Sequence, residues 1–173
     1  MEKAYTMWLT GLSCSGKSTL AEEIVKIFEE KGKKVQLIDG DIIRDSIGNI
    51  FGYSKEERMK VIKVYRLLCN LLNNNGVYVI VASIAGYQEM REENRREIGQ
   101  YYEIYVNCPL EVCIERDVKG MYKKALQGEI KNVMGLDEPY DIPQNPDAII
   151  KTAEESIEKC IGKIHELIEK IEK

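Results

Sequence analysis

The chain of 173 residues has a single histidine, His165, so catalysis built on an imidazole base or a histidine metal cluster is not expected. Its five cysteines, at 14, 69, 108, 113 and 160, form no C-x-x-C pair. An odd count at scattered spacings fits reduced thiols rather than a disulfide framework or a zinc site. No run approaches the roughly 18 consecutive apolar residues of a membrane-spanning helix. There is no excess of basic residues either: the formal net charge is −4, which argues against a general nucleic-acid binder. The opening segment MEKAYTMWLTG runs directly into an apolar stretch, so we expect no signal peptide and a cytoplasmic protein. Internal repeats, low-complexity tracts and domain linkers are absent, and we expect one domain over 1–173.

What is present is alternation. Apolar runs at 5–9, 35–38, 77–82 and 102–106 read as buried strands, and 148–150 supplies a candidate fifth. Between them, helical spacing occupies about 17–31, 55–74, 88–98, 110–117 and 152–172. Continuous apolar strands separated by helices predict an α/β fold: a mostly parallel five-stranded sheet with helices on both faces. The segment 119–146 breaks the pattern with Gly120, Gly128, Gly135, Pro139, Pro143 and Pro146. It reads as too polar for a core and too long for a plain connection, and so as a candidate lid.

One motif carries most of the chemistry. GLSCSGKST at 11–19 fills G-x-x-x-x-G-K-[ST] with Gly11, Gly16, Lys17 and Ser18, between a strand and a helix. Such a loop curls so that backbone N–H groups converge on an anion, and the helix that follows adds its positive end. The ATP-binding candidates are Gly11, Ser13, Cys14, Ser15, Gly16, Lys17, Ser18 and Thr19. Lys17 can reach the β- and γ-phosphates, and the Ser18 hydroxyl can ligate Mg²⁺. Cys14 is read as a small residue at a variable loop position. The strand ending at 38 leads into Asp39-Gly40-Asp41 and then Arg44. A carboxylate there can take a proton from an attacking hydroxyl or support Mg²⁺, and Arg44 can bind an anionic substrate. A turn with a helix cap explains D-G-D equally simply.

With these residues in place, the chain resembles the adenylylsulfate (APS) kinase family over about 3–150. The matching pieces are GLSCSGKST, IDGDIIR (38–44), FGYSKEER (51–58), NCPLEVCIERDVKGMYKKALQGEIKN (107–132) and GLDEPYDIPQNP (135–146). The resemblance implies a three-layer phosphate-loop kinase fold with a lid. It further implies transfer of the γ-phosphate of ATP, with Mg²⁺, to the 3′-hydroxyl of a nucleotide, and a homodimer. Asp41 then matches the catalytic base, acting with Lys17. Asp39 and Ser18 match the metal support. Arg44, Tyr53, Arg58, Ile84, Ala85 and Lys119, with Asp39 and Asp41, match positions that meet the acceptor.

The departures cluster on the acceptor side. Val61 stands where the family has asparagine, and Val133 where it has a second base-stacking aromatic. I-S-P-[YF]-R becomes Ile84-Ala85-Gly86-Tyr87-Gln88. Loss of an aromatic wall removes stacking of roughly 1–3 kcal/mol per base. Two acceptors follow as expectations: first cytidine diphosphoramidate, the substrate of an APS-kinase-like enzyme of capsule polysaccharide synthesis, and alternatively adenylyl sulfate. A subunit that binds ATP without transferring phosphate, or a small-metabolite kinase of another phosphate-loop family, stands further off.

Overall fold

The computed structural model describes residues 3–48 and 50–173. Five strands form one sheet: β1 (Thr6–Thr10), β2 (Val35–Asp39), β3 (Tyr78–Ala82), β4 (Tyr101–Asn107) and β5 (Ala148–Lys151). The order is β2-β3-β1-β4-β5 and every pairing is parallel. All five residues of β1 and of β3 are buried. That is why these segments read as unbroken apolar runs rather than as alternating ones.

Side chains of successive strand residues leave opposite faces of the sheet. Met7, Leu9 and Ile80 pack on one face against α1 (Lys17–Glu30) and α7 (Ile157–Ile171), chiefly through Leu20, Ile24, Phe28, Ile164 and Ile168. Trp8, Val79 and Val81 pack on the other against α3 (Lys55–Asn74) and α4 (Gln88–Glu97), through Ile62, Tyr65, Cys69 and Met90. Each such side chain, fully buried, contributes about 1.5–3 kcal/mol. The expected three layers are present, with the strands within two residues of the predicted limits.

Three short or late elements differ from expectation. α2 (Gly40–Ile47), where the sequence offers a turn with a cap, is an eight-residue helix with no fully buried residue; Ile43 packs partly buried against the α3–α4 layer. The last helix begins at Ile157 rather than 152, because Ser156 caps it by accepting from the Lys159 N–H. The segment 119–146 contains α6 (Met121–Leu126), after α5 (Leu110–Arg116), and it is not wholly polar in its packing. Tyr122, Val133 and Met134 are each at most 4 % exposed. Tyr122 and Val133 join Cys108 and Cys113 in a small third core, and Met134 joins the α3–α4 layer. A few apolar residues spaced widely among charges are enough to dock the segment.

A buried arginine fastens that segment to the sheet. Arg91 of α4 donates to the carbonyls of Ala85 and Asp141 and to Gln88 Oε1, with Glu103 Oε1 3.9 Å from its Nε. Burial raises the Glu103 carboxyl above the usual range. Removing the arginine leaves carbonyls and a carboxylate buried without their partner. Arg91→Ala is therefore expected to lower unfolding stability by about 3–5 kcal/mol, read as a lower urea midpoint.

Candidate functional site

A cavity of about 520 Å³ opens at the carboxyl ends of the strands, where parallel sheets bind ligands. The loop after β1 forms one wall. Gly11 is required by close approach: a Cβ there would lie 2.5 Å from the Val106 carbonyl oxygen. Gly16 has φ +100 and ends the loop as the N-cap of α1 without a side-chain cap, so the first N–H groups of α1 are left for a ligand. Ser15 is fully buried with its hydroxyl unpartnered. Lys17 Nζ donates to the Leu12 carbonyl at 2.6 Å. Burial draws its ammonium down to about 8.

Asp39 closes the base of the site. Its Oδ1 accepts from the backbone N–H groups of Asp41 and Ile42 at 2.9 and 3.3 Å, capping α2. Its Oδ2 accepts from the Ser18 hydroxyl at 2.6 Å. The cap reading and the functional reading of D-G-D therefore both describe this residue, one oxygen each. Mg²⁺ commonly takes one or two protein oxygens and completes its shell with phosphates and water. An adjacent hydroxyl and carboxylate beside the phosphate loop fit that requirement.

Asp41 projects from the first turn of α2 into the cavity, and its Oδ2 accepts from Lys119 Nζ at 2.8 Å. Arg44 donates to the carbonyls of Phe51 and Gly52. Arg58 donates to the Tyr53 carbonyl and, across the site, to that of Asn132 at 2.7 Å. Their guanidinium carbons lie 4.5 and 5.4 Å from the centre of the Tyr53 ring, within cation–π range. Val61, Ile84 and Ala85 also line the cavity, as do Ser13, Cys14 and Thr19.

The structure thus gathers the expected residues, with Gly11 and Ser15 shaping the loop from beneath. Val133 is the exception. It does not line the cavity; it is 4 % exposed in the third core, because the chain around it is held by Asp137, which accepts from the N–H groups of Asn132 and Val133. Arg116 and Thr152 escaped the sequence reading, and Tyr122, within the candidate lid, has a second role. Arg116 donates to the carbonyls of Cys14 and Thr152, Thr152 donates to the Ser15 carbonyl, and Tyr122 donates to the Ser13 carbonyl. Together they brace the phosphate loop from 102 to 137 residues away, all from beyond residue 115. Arg116 and Tyr122 fall within the 107–132 match, whereas Thr152 lies beyond every matched piece.

The adenylylsulphate kinase family profile matches residues 3–151. The chain belongs to the adenylylsulphate kinase family. It is 43% identical over 163 residues to an adenylyl-sulfate kinase of Gloeothece citriformis, covering 94% of this chain and 93% of that one. With an adenylyl-sulfate kinase of Picosynechococcus it shares 44% over 169 residues, 95% and 96% of the two chains. Among solved structures, the Mycobacterium tuberculosis APS kinase CysC, described in complex with AMPPNP and APS, superposes with a TM-score of 0.91 at 33% identity, over 98% of this chain and 99% of that one. The APS kinase of Thiobacillus denitrificans, described as hexameric, gives 0.71 at 26% over 96% of this chain and 29% of that one. Membership makes this chain a phosphotransferase of the kinase class using ATP and Mg²⁺, and the loop, Ser18 and Asp39 are built for both. Among the described residues no helix is long and apolar enough to cross a membrane.

Proposed function

We propose that this protein transfers the γ-phosphate of ATP to the 3′-hydroxyl of adenylyl sulfate. The observation that carries the reading is Asp41, an exposed carboxylate beside the phosphate loop that accepts from Lys119 in a cavity also lined by Arg44 and Arg58. The names of the relatives support adenylyl sulfate over cytidine diphosphoramidate, reversing the order expected from the replaced residues. Val133 weakened that expectation in any case, since its side chain packs in the third core and takes no wall away from this cavity.

In the proposed mechanism, the loop N–H groups and Lys17 hold the ATP phosphates. Ser18 and Asp39 would hold Mg²⁺, which would supply positive charge against the developing phosphate charge. Asp41 orients the 3′-hydroxyl and accepts its proton as the oxygen attacks phosphorus in line. Lys119 moves from Asp41 to the acceptor's anionic end, where Arg44 and Arg58 already stand. The 119–146 segment, docked through Tyr122 and Met134, excludes water and so limits hydrolysis of ATP.

Competition tests this. With ATP and Mg²⁺ present, adenylyl sulfate and cytidine diphosphoramidate are offered at equal low concentration and ADP release is followed for each. Faster release with adenylyl sulfate is expected. Preference for the cytidine compound would overturn the assignment.

A further inference from the structure

The phosphate loop, Asp41 and Lys119 account for one half of the cavity. The other half, if the proposed function holds, receives the base and sugar of the acceptor. Its wall is built from Val61 and Ile62 of α3, Ala82 at the end of β3, Ala85 and Gly86 of the next loop, and Met90 of α4. None of these side chains carries a hydrogen-bonding nitrogen or oxygen.

Three successive carbonyls of that loop are engaged by the protein itself. The Ile84 carbonyl accepts from the Thr10 hydroxyl, that of Ala85 from Arg91 at 2.7 Å, and that of Gly86 from the Asp141 N–H at 2.8 Å. Ala85 is held at φ +43 by this arrangement, a conformation that a side-chain-bearing residue adopts at a cost. These bonds tie three successive carbonyls of the loop to groups within the protein.

The polar side chains nearby serve other ends. Arg44 and Arg58 each donate to two backbone carbonyls and face the ring of Tyr53 from 4.5 and 5.4 Å. Their remaining N–H groups suit an anion. The Tyr65 hydroxyl donates to the Gly40 carbonyl at 3.3 Å. Ser83 stands beside Gly40, 3.4 Å from where a Cβ would lie, at the end of the site that holds Asp39 and Asp41. What this half offers a base is an apolar wall and flat guanidinium and tyrosine faces.

We infer that the acceptor site reads the anionic 5′ end and the sugar hydroxyl but not the edge of the base. The substrate class is then nucleoside 5′-phosphosulfates in general, with adenylyl sulfate one member. Stacking on aromatic or guanidinium faces is tolerant of base identity. A pocket without polar groups rejects a wrong ligand by only about 10–200-fold, whereas one built around hydrogen bonds to the substrate reaches about 10⁴–10⁵.

The test uses the wild-type chain with saturating ATP and Mg²⁺. Values of kcat/KM are measured for adenosine, inosine and uridine 5′-phosphosulfates. The expected spread among the three is below about 200-fold. A wider spread, with adenosine turned over well, would overturn base tolerance and leave the proposed function standing. Turnover of none of the three would overturn both.

Discussion

Asp41→Ala is expected to lower kcat by about 10²–10⁴-fold, the range a positioned general base supplies. ATP binding should survive, because the phosphate-loop N–H groups, the Lys17 bond to the Leu12 carbonyl and the Ser18 bond to Asp39 do not pass through this carboxylate, although its charge helps hold the Lys17 ammonium. Asp39 is the residue that caps α2 and meets Ser18; Asp41 does neither. Its salt bridge to Lys119 joins side chains 62% and 57% exposed, so its loss should change stability by no more than about 1 kcal/mol. The effect is therefore readable as chemistry rather than misfolding. Nucleotide affinity by calorimetry, beside kcat for the acceptor, separates the two. Turnover near that of the wild type would remove Asp41 from the proposed role.

Lys17→Met is expected to cost about 10²–10³-fold in kcat, as removal of one preorganised charge donor does elsewhere. The variant also loses nucleotide affinity, which distinguishes it from Asp41→Ala. A pH dependence follows from its burial. In the free protein the ammonium titrates at about 8, pulled down by desolvation. Bound phosphates favour the charged form and raise that value. Below about 8 the lysine is already protonated and binding takes up no proton. Above it, binding must take up one, so affinity falls by up to tenfold per pH unit until the raised value of the complex is reached. Lys17→Arg stays charged throughout and should flatten this limb, even if its bulk weakens binding. A wild-type affinity unchanged between pH 7 and 10 would contradict the assignment, those limits being set about 8.

How far the sequence could be read followed from how local each signal was. The phosphate loop was legible because its residues act on one ligand from consecutive positions. The central strands β1 and β3 were legible because burial on both faces removes alternation. α2 was not: it is short, none of its residues is fully buried, and its first residues, Gly40 and Asp41, spell a turn as well as a helix start. The docking of 119–146 was hidden because Tyr122, Val133 and Met134 are isolated among charges and glycines. The loop braces Arg116 and Thr152 were invisible for another reason. They hold the carbonyls of Cys14 and Ser15 from 102 and 137 residues away, a distance no spacing rule spans.

Val133 shows how a matched position can mislead. Its counterpart residue type suggested a wall of the acceptor site, and its replacement suggested a changed acceptor. Two hydrogen bonds from Asn132 and Val133 to Asp137 set the chain locally, and the side chain turns into the third core. Val61, by contrast, does line the cavity. The apolar character inferred for the acceptor side therefore rests on Val61, Ala85 and Met90, not on 133.

The most direct test of phosphate transfer to the 3′-hydroxyl is to characterise the product formed from ATP, Mg²⁺ and adenylyl sulfate by mass spectrometry and ³¹P NMR. The expected result is one added phosphate, a monoester on the 3′ carbon of the ribose, formed in step with ADP. ADP accumulating at the same rate without an acceptor, or phosphate appearing at any other position, would contradict it.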